Sequence, residues 1–185
     1  PEAQFCGGSE VSRLGITFNP NIPTEECFIS PKKGEAEGIV YSTKPLCYQG
    51  QIIDKFFMRF EGGKVVESGA EVGAELLETL LNMDEGARYL GECALVPQRS
   101  PICESGILFY NTLFDENAAC HIAFGEAYPC VEGGNDMTRE ERIAHGLNDS
   151  ITHVDFMIGT RDLCITGITQ DGREIPVFAD GNFAI

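Results

Sequence analysis

Two strand-like runs, residues 163–169 and 173–178, flank Asp171-Gly172, and they limit the fold more than any other feature. Asp-Gly between apolar stretches supplies the positive-φ residues that a tight hairpin needs. The same device recurs upstream, where residues 52–60 run through Glu61-Gly62-Gly63 into Lys64-Val65-Val66-Glu67. Two-residue turns join antiparallel neighbours, whereas parallel strands need long crossovers. Strands that meet through hairpins predict an α+β domain with a mixed, largely antiparallel, curled sheet and a few short helices.

The rest of the chain fits that class. The opening residues, punctuated by Gly7, Gly8, Gly15, Pro20 and Pro23, read as strand fragments and turns. Residues 39–43 form a short strand. Residues 70–83 predict a helix with Val72, Leu76, Leu77 and Leu80 on one face. Asp84-Glu85-Gly86 breaks it, 87–90 adds a turn and 92–96 is extended. Residues 107–110 read as a strand, and 117–128 as a helix of small residues (Ala118, Ala119, Ala123, Ala127). Thr138-Arg139-Glu140-Glu141 fits a capping box, opening a short helix that Gly146 ends.

Composition excludes some functions. A net charge of -16 repels phosphate backbones and argues against nucleic acid. No apolar run approaches the roughly 20 residues that cross a bilayer. No signal peptide is expected from the opening residues, and the first residue is not methionine, so the sequence reads as a piece of a longer protein. The eight cysteines (6, 27, 47, 93, 103, 120, 130, 164) include no CxxC pair. They read as reduced thiols of a cytosolic protein, with Cys93, Cys120 and Cys164 as small buried hydrophobes.

Candidate chemistry centres on residues 151–158. In a strand, alternate side chains share a face, so His153 and Asp155 point one way and Val154 and Phe156 the other. The pair is either two metal ligands or a buried hydrogen-bonded couple. His121, among small apolar residues, is a ligand or a satisfied core histidine. Tyr128 follows seven residues later, two turns along the same helical face. His145 precedes Gly146 and suits the helix dipole. Glu25 and Glu26, after Pro23, and Glu92, leading into a buried-looking strand, are ligand candidates or strand-end surface residues. Asp115 and Glu116 suit the electropositive start of the helix carrying His121. Such a nitrogen and oxygen set accepts zinc, cobalt or manganese. No HExxH motif is present.

Several blocks carry a more specific signal: residues 21–26 (NIPTEE), 91–96 (GECALV), 113–118 (LFDENA), His121-Ile122-Ala123 with Tyr128, and 153–159 (HVDFMIG). In this order they closely resemble the thermophilic-type metalloaminopeptidases of peptidase family M29. The resemblance implies a dinuclear centre of two divalent ions, zinc or cobalt, with manganese or magnesium as further candidates. Its ligands fall on Glu26, Glu92, His121, His153 and Asp155, and the catalytic tyrosine on Tyr128. It also implies a cytoplasmic, homodimeric aminopeptidase acting on short peptides. Glu25 is a candidate proton carrier, although neighbours on a strand point oppositely. Family members are two-domain chains about twice this long, with these blocks in the C-terminal half. Residues 1–185 are therefore expected to be a single metal-binding catalytic domain whose N-terminal companion is absent. The competing expectations are a non-catalytic metal-binding or structural α+β domain, and a metal-free glycosidase using two carboxylates.

Overall fold

A computed structural model describes residues 3–184. In chain order its elements are β1 (Glu10–Val11), β2 (Thr17–Phe18), β3 (Cys27–Ile29), β4 (Gly38–Tyr41), β5 (Leu46–Tyr48), β6 (Gln51–Glu61), β7 (Lys64–Val72) and α1 (Ala74–Leu81). Then come β8 (Leu90–Leu95), α2 (Pro101–Ser105), α3 (Thr112–Asp115), β9 (His121–Gly125), α4 (Arg139–Ala144), β10 (His153–Met157), β11 (Ile165–Ile168), β12 (Glu174–Ala179) and β13 (Asn182–Phe183). Every strand pairing among the described residues is antiparallel. The α+β class and both expected hairpins, β6–β7 and β11–β12, are present.

Two four-stranded arrangements dominate. One sheet has the order β10-β9-β8-β3; the other runs β4-β6-β5, with β7 also paired to β6. Lys55 takes φ 49 in the middle of β6. Its inward-facing positions change from Ile53 before it to Phe56, Met58 and Phe60 after it. β5 pairs with the first part of β6 and β4 with the second, so the long strand serves two partners across the bend. Its inner face packs on Leu77, Leu80 and Leu81 of α1 and on Ile122, Phe124, Val154 and Phe156 of the other sheet. With Val154 and Phe156 in this core, the alternation of β10 turns His153 and Asp155 to the opposite face. In β9 the same logic sends Ile122 and Phe124 into the core and His121 and Ala123 to the face shared with Asp155.

Several local expectations are corrected. Residues 117–128 are not a helix: a 3-10 turn at Glu116–Ala118 gives way to β9, buried along its whole length. A central strand covered on both faces lacks polar alternation, so its small apolar residues read as a buried helix. Tyr128 is therefore not two helical turns from His121. Asp115 and Glu116 have no following helix dipole to serve; the Asp115 carboxylate instead accepts the N–H groups of Phe109 and Asn111. That clamp holds residues 107–110 as a loop rather than a strand, with Tyr110 at φ 56. The first helix begins at Ala74 because Ala70 and Val72 pair with β6. Cys164 is exposed and Cys93 is only partly buried, while Cys120 is buried; all eight thiols are free. The capping box of α4 forms as expected, with His145 as its C-cap.

Candidate metal centre

The shared face of β8, β9 and β10 gathers the five residues that the sequence singled out as ligands. Glu26 sits just before β3, Glu92 in β8, His121 at the start of β9, and His153 and Asp155 in β10. The register places Ala123 opposite both Glu92 and Asp155, so a methyl group separates two carboxylates that a larger residue would push apart. A bulge between Leu90 and Glu92 re-aims the Glu92 side chain. Gly91 makes this possible: a Cβ there would stand 2.0 Å from the Glu126 carbonyl oxygen.

The distances are short. His121 Nε2 lies 3.0 Å from Glu26 Oε2 and 3.9 Å from Glu92 Oε1. His153 Nε2 lies 3.2 Å from Glu92 Oε2 and 3.2 Å from Asp155 Oδ1. Two trios result, Glu26–Glu92–His121 and Glu92–His153–Asp155, each with its donor atoms within 4.8 Å of one another. Glu92 belongs to both.

The back sides of the imidazoles indicate what this arrangement needs. His121 Nδ1 is 3.2 Å from the Ala119 carbonyl oxygen, and His153 Nδ1 is 2.7 Å from that of Glu126. A carbonyl can only accept, so each Nδ1 carries the hydrogen and donates it. In a neutral ring each Nε2 then presents a lone pair to carboxylate oxygens. Lone pairs facing anions require a cation between them, either a metal ion or a proton. Glu26 Oε2 is the clearest case: it is buried, close to His121 Nε2, and has no aligned hydrogen-bond donor. No lysine or arginine lines the surrounding cavity, whose volume is about 260 Å³. The donor set fits a divalent metal.

Without a metal, protons take that place. Burial works to lower the His121 pKa, but Glu26, Asp155 and Glu92 outweigh it and push it up to about 9. His153 goes the same way, against its burial, to about 11, driven by Asp155 and Glu92. Glu92 is raised, first by burial and then by its acidic neighbours against the pull of His153.

The sequence reading gives one member of the cluster another role, at a helix start. Glu116 is buried and lines the same cavity. Burial, then the charge of Asp155, raises its pKa to about 8. The expected helix dipole accounts for it in the sequence, although its place five residues before His121 and within the 113–118 block is the signal for a site role. Its turn is tied to the Glu26 segment, because Asn117 Oδ1 accepts the Glu25 N–H at 2.7 Å. Glu25 itself is exposed and outside the cavity wall.

Tyr128 reaches the cavity from the loop after β9. Its ring meets His153 edge-on at 4.9 Å and Phe28 at 5.4 Å, measured between centroids. Burial and the nearby Glu92 and Asp155 charges push the phenol pKa up, so it keeps its proton.

A family model described as thermophilic metalloprotease (M29) matches residues 1–183. The chain is 54% identical over 179 residues to Aminopeptidase 2 of Geobacillus stearothermophilus, covering 96% of this chain and 43% of that protein. It is 46% identical over 179 residues to Aminopeptidase T of Thermus aquaticus, covering 97% and 44% respectively. The solved structure of wild-type AmpT from Thermus thermophilus matches with a TM-score of 0.92 at 44% identity, covering 100% of this chain and 46% of that one. The chain thus spans less than half the length of these relatives.

Proposed function

This chain belongs to the M29 family of thermophilic metalloproteases, and from that membership we propose that it is the metal-bearing catalytic part of a longer, two-domain aminopeptidase. The enzyme removes N-terminal residues from short peptides through a dinuclear centre. The observation that carries this reading is Glu92, one buried carboxylate common to two donor trios. We assign Glu26 and His121 to one ion, His153 and Asp155 to the other, and Glu92 to both. Zinc or cobalt suits this nitrogen and oxygen set, as do manganese and, less closely, magnesium.

Bound divalent ions supply Lewis acidity at the scissile carbonyl and an anchor for the peptide's free amine. The protein's own groups do the rest. The acidic cavity draws in a cationic N-terminus and, with no lysine or arginine on its wall, offers nothing to a carboxylate end. Tyr128 donates a hydrogen bond to the carbonyl oxygen as charge develops there. Glu116 is suited to carry the proton to the leaving amine, because it lies in the cavity with a raised pKa. Glu25 lacks that access. The same reading makes the whole enzyme a cytoplasmic homodimer. No helix among the described residues is long and apolar enough to cross a membrane.

The test uses the full-length protein. After chelation and reloading with zinc or cobalt, it is expected to hold two ions per chain and to hydrolyse Leu-p-nitroanilide. His153→Ala is expected to lose one ion and most of the activity. If His153→Ala keeps both ions and full hydrolysis, the assignment fails. Hydrolysis that survives EDTA points to metal-free chemistry, and two ions without hydrolysis point to a metal-binding module.

A further inference from the structure

We propose that a second cavity, bordering the metal centre along Tyr128 and Phe28, receives the side chain of the peptide's first residue, and that Glu10 makes it reject anionic side chains. This deepens the aminopeptidase reading and rests on it.

The cavity measures about 460 Å³, within the size range of small-molecule sites and large enough for a leucine or phenylalanine side chain. Phe5, Phe28, Tyr128 and Pro129 give it apolar surface beside the polar Ser9, Glu10 and Asn135. Phe28, Tyr128 and Glu10 also line the acidic cavity, so the two spaces adjoin. One amino-acid residue can therefore occupy both. Its amine sits among the acidic groups, and its Cβ and beyond pass over the Phe28–Tyr128 edge toward Phe5 and Pro129.

The shared wall is well fixed. Phe28 and Cys6 exchange backbone hydrogen bonds of 2.8 and 2.9 Å. Next to Cys6, Gly7 at φ +148 lies so close to β3 that a Cβ would stand 2.5 Å from the Glu26 carbonyl oxygen. The segment leading to Glu10 is thus pressed against the backbone of a candidate ligand residue. Neither cavity has a lysine or arginine on its wall. An aspartate or glutamate side chain entering here would meet the Glu10 carboxylate with no counter-charge, whereas an uncharged apolar one buries surface at no such cost.

The experiment compares aminoacyl-p-nitroanilides on the metal-loaded full-length enzyme, so that only the first residue varies. Wild type is expected to prefer Leu and Phe strongly over Glu. Glu10 is exposed in a two-residue strand, so Glu10→Lys keeps the fold. Glu10→Lys is expected to raise the Glu-to-Leu ratio of kcat/KM about tenfold, or about 1.4 kcal/mol. Calorimetric binding of free glutamate against free leucine should shift in the same direction. Phe5→Ala is expected to shrink the preference for Phe over Ala. An unchanged Glu-to-Leu ratio in Glu10→Lys overturns the subsite, while measurable Leu-p-nitroanilide hydrolysis in that variant keeps the aminopeptidase reading. A wild-type enzyme that cleaves no aminoacyl anilide overturns both.

Discussion

The two large sheets treat charge in opposite ways. On the sheet built around β6, charged groups stand in solvent beside opposite partners: Lys55 with Glu71, and Arg59 with Glu61 and Glu67; on the helix packed against it, Glu78 pairs with Arg88. Its inner face is apolar, with Ile53, Phe56, Met58 and Phe60 buried. On the sheet of β3, β8, β9 and β10, Glu92 and His121 are buried, Glu26 and Asp155 are nearly so, and no basic side chain joins them. The first arrangement stabilises a fold without a ligand. The second is costly until a cation enters, because buried like charges repel in a poorly screened environment. The difference separates scaffold from site without reference to any relative.

The comparison breaks or holds most clearly at Glu92. Glu92→Gln removes the anion common to both trios. It is expected to abolish binding of both ions, measured by metal analysis. Activity should fall by more than the roughly 100-fold that loss of a group merely supporting a ligand costs. The metal-free fold should survive, since the variant relieves repulsion among Glu26, Asp155 and Glu116. The scaffold counterpart behaves the other way. Leu80 is fully buried between α1 and β6. Leu80→Ala is expected to lower unfolding free energy by about 2–5 kcal/mol in denaturant titration, with two ions still bound per folded chain.

These contrasts also explain what could be read in advance. The hairpins, the capping box of α4 and the two-faced strand β10 were legible because each depends on local residue order: Asp171-Gly172, Thr138 with Glu141, and alternation around His153. β9 was not, because its identity as a strand comes from β8 and β10 on either side, and its alanines read equally well as helix. The loop at 107–110 was misread for a similar reason: the Asp115 side chain, not a neighbouring strand, takes its N–H groups. Residue chemistry alone left His121, Glu26 and Glu92 each undecided. Only the family resemblance joined them, and neither route set Glu116 among them: its expected place was a helix start, and its burial beside the cluster appears only on folding.

The pH dependence sharpens the same comparison. In the metal-free chain, His121 is raised from 6.5 to about 9 and Glu116 from 4.5 to about 8. For each group the native state holds its proton at a pH where the unfolded chain has released it. Stability therefore falls as pH rises, through the 4.5–8 interval for Glu116, the 6.5–9 interval for His121 and the 6.5–11 interval for His153, whose pKa is raised in the same way. Denaturant titrations in EDTA should show a loss of a few kcal/mol between pH 6 and about 9. With zinc bound the slope should flatten, because the ion already replaces the protons. Metal uptake at pH 7 should release protons, seen as a dependence of calorimetric heat on buffer. An equal slope with and without metal would remove the case for a proton-filled cage.

The smallest effect is expected at the scaffold's exposed pair. Lys55 Nζ and Glu71 Oε2 are 2.7 Å apart, closer than any pair in the metal centre. If distance alone set the energy, Lys55→Gln would be the most damaging of these changes. Both side chains stand about two-thirds exposed, however. Water and salt screen the attraction, and holding two long side chains in one geometry costs entropy. Lys55 takes φ 49 in β6, and Gln tolerates that backbone about as well. The Tm of Lys55→Gln should match wild type within measurement error, at low and at high salt. A clear drop, especially one erased by salt, would show that the β6 sheet depends on its surface charges, and that the division between a self-sufficient scaffold and a cation-dependent site is drawn in the wrong place.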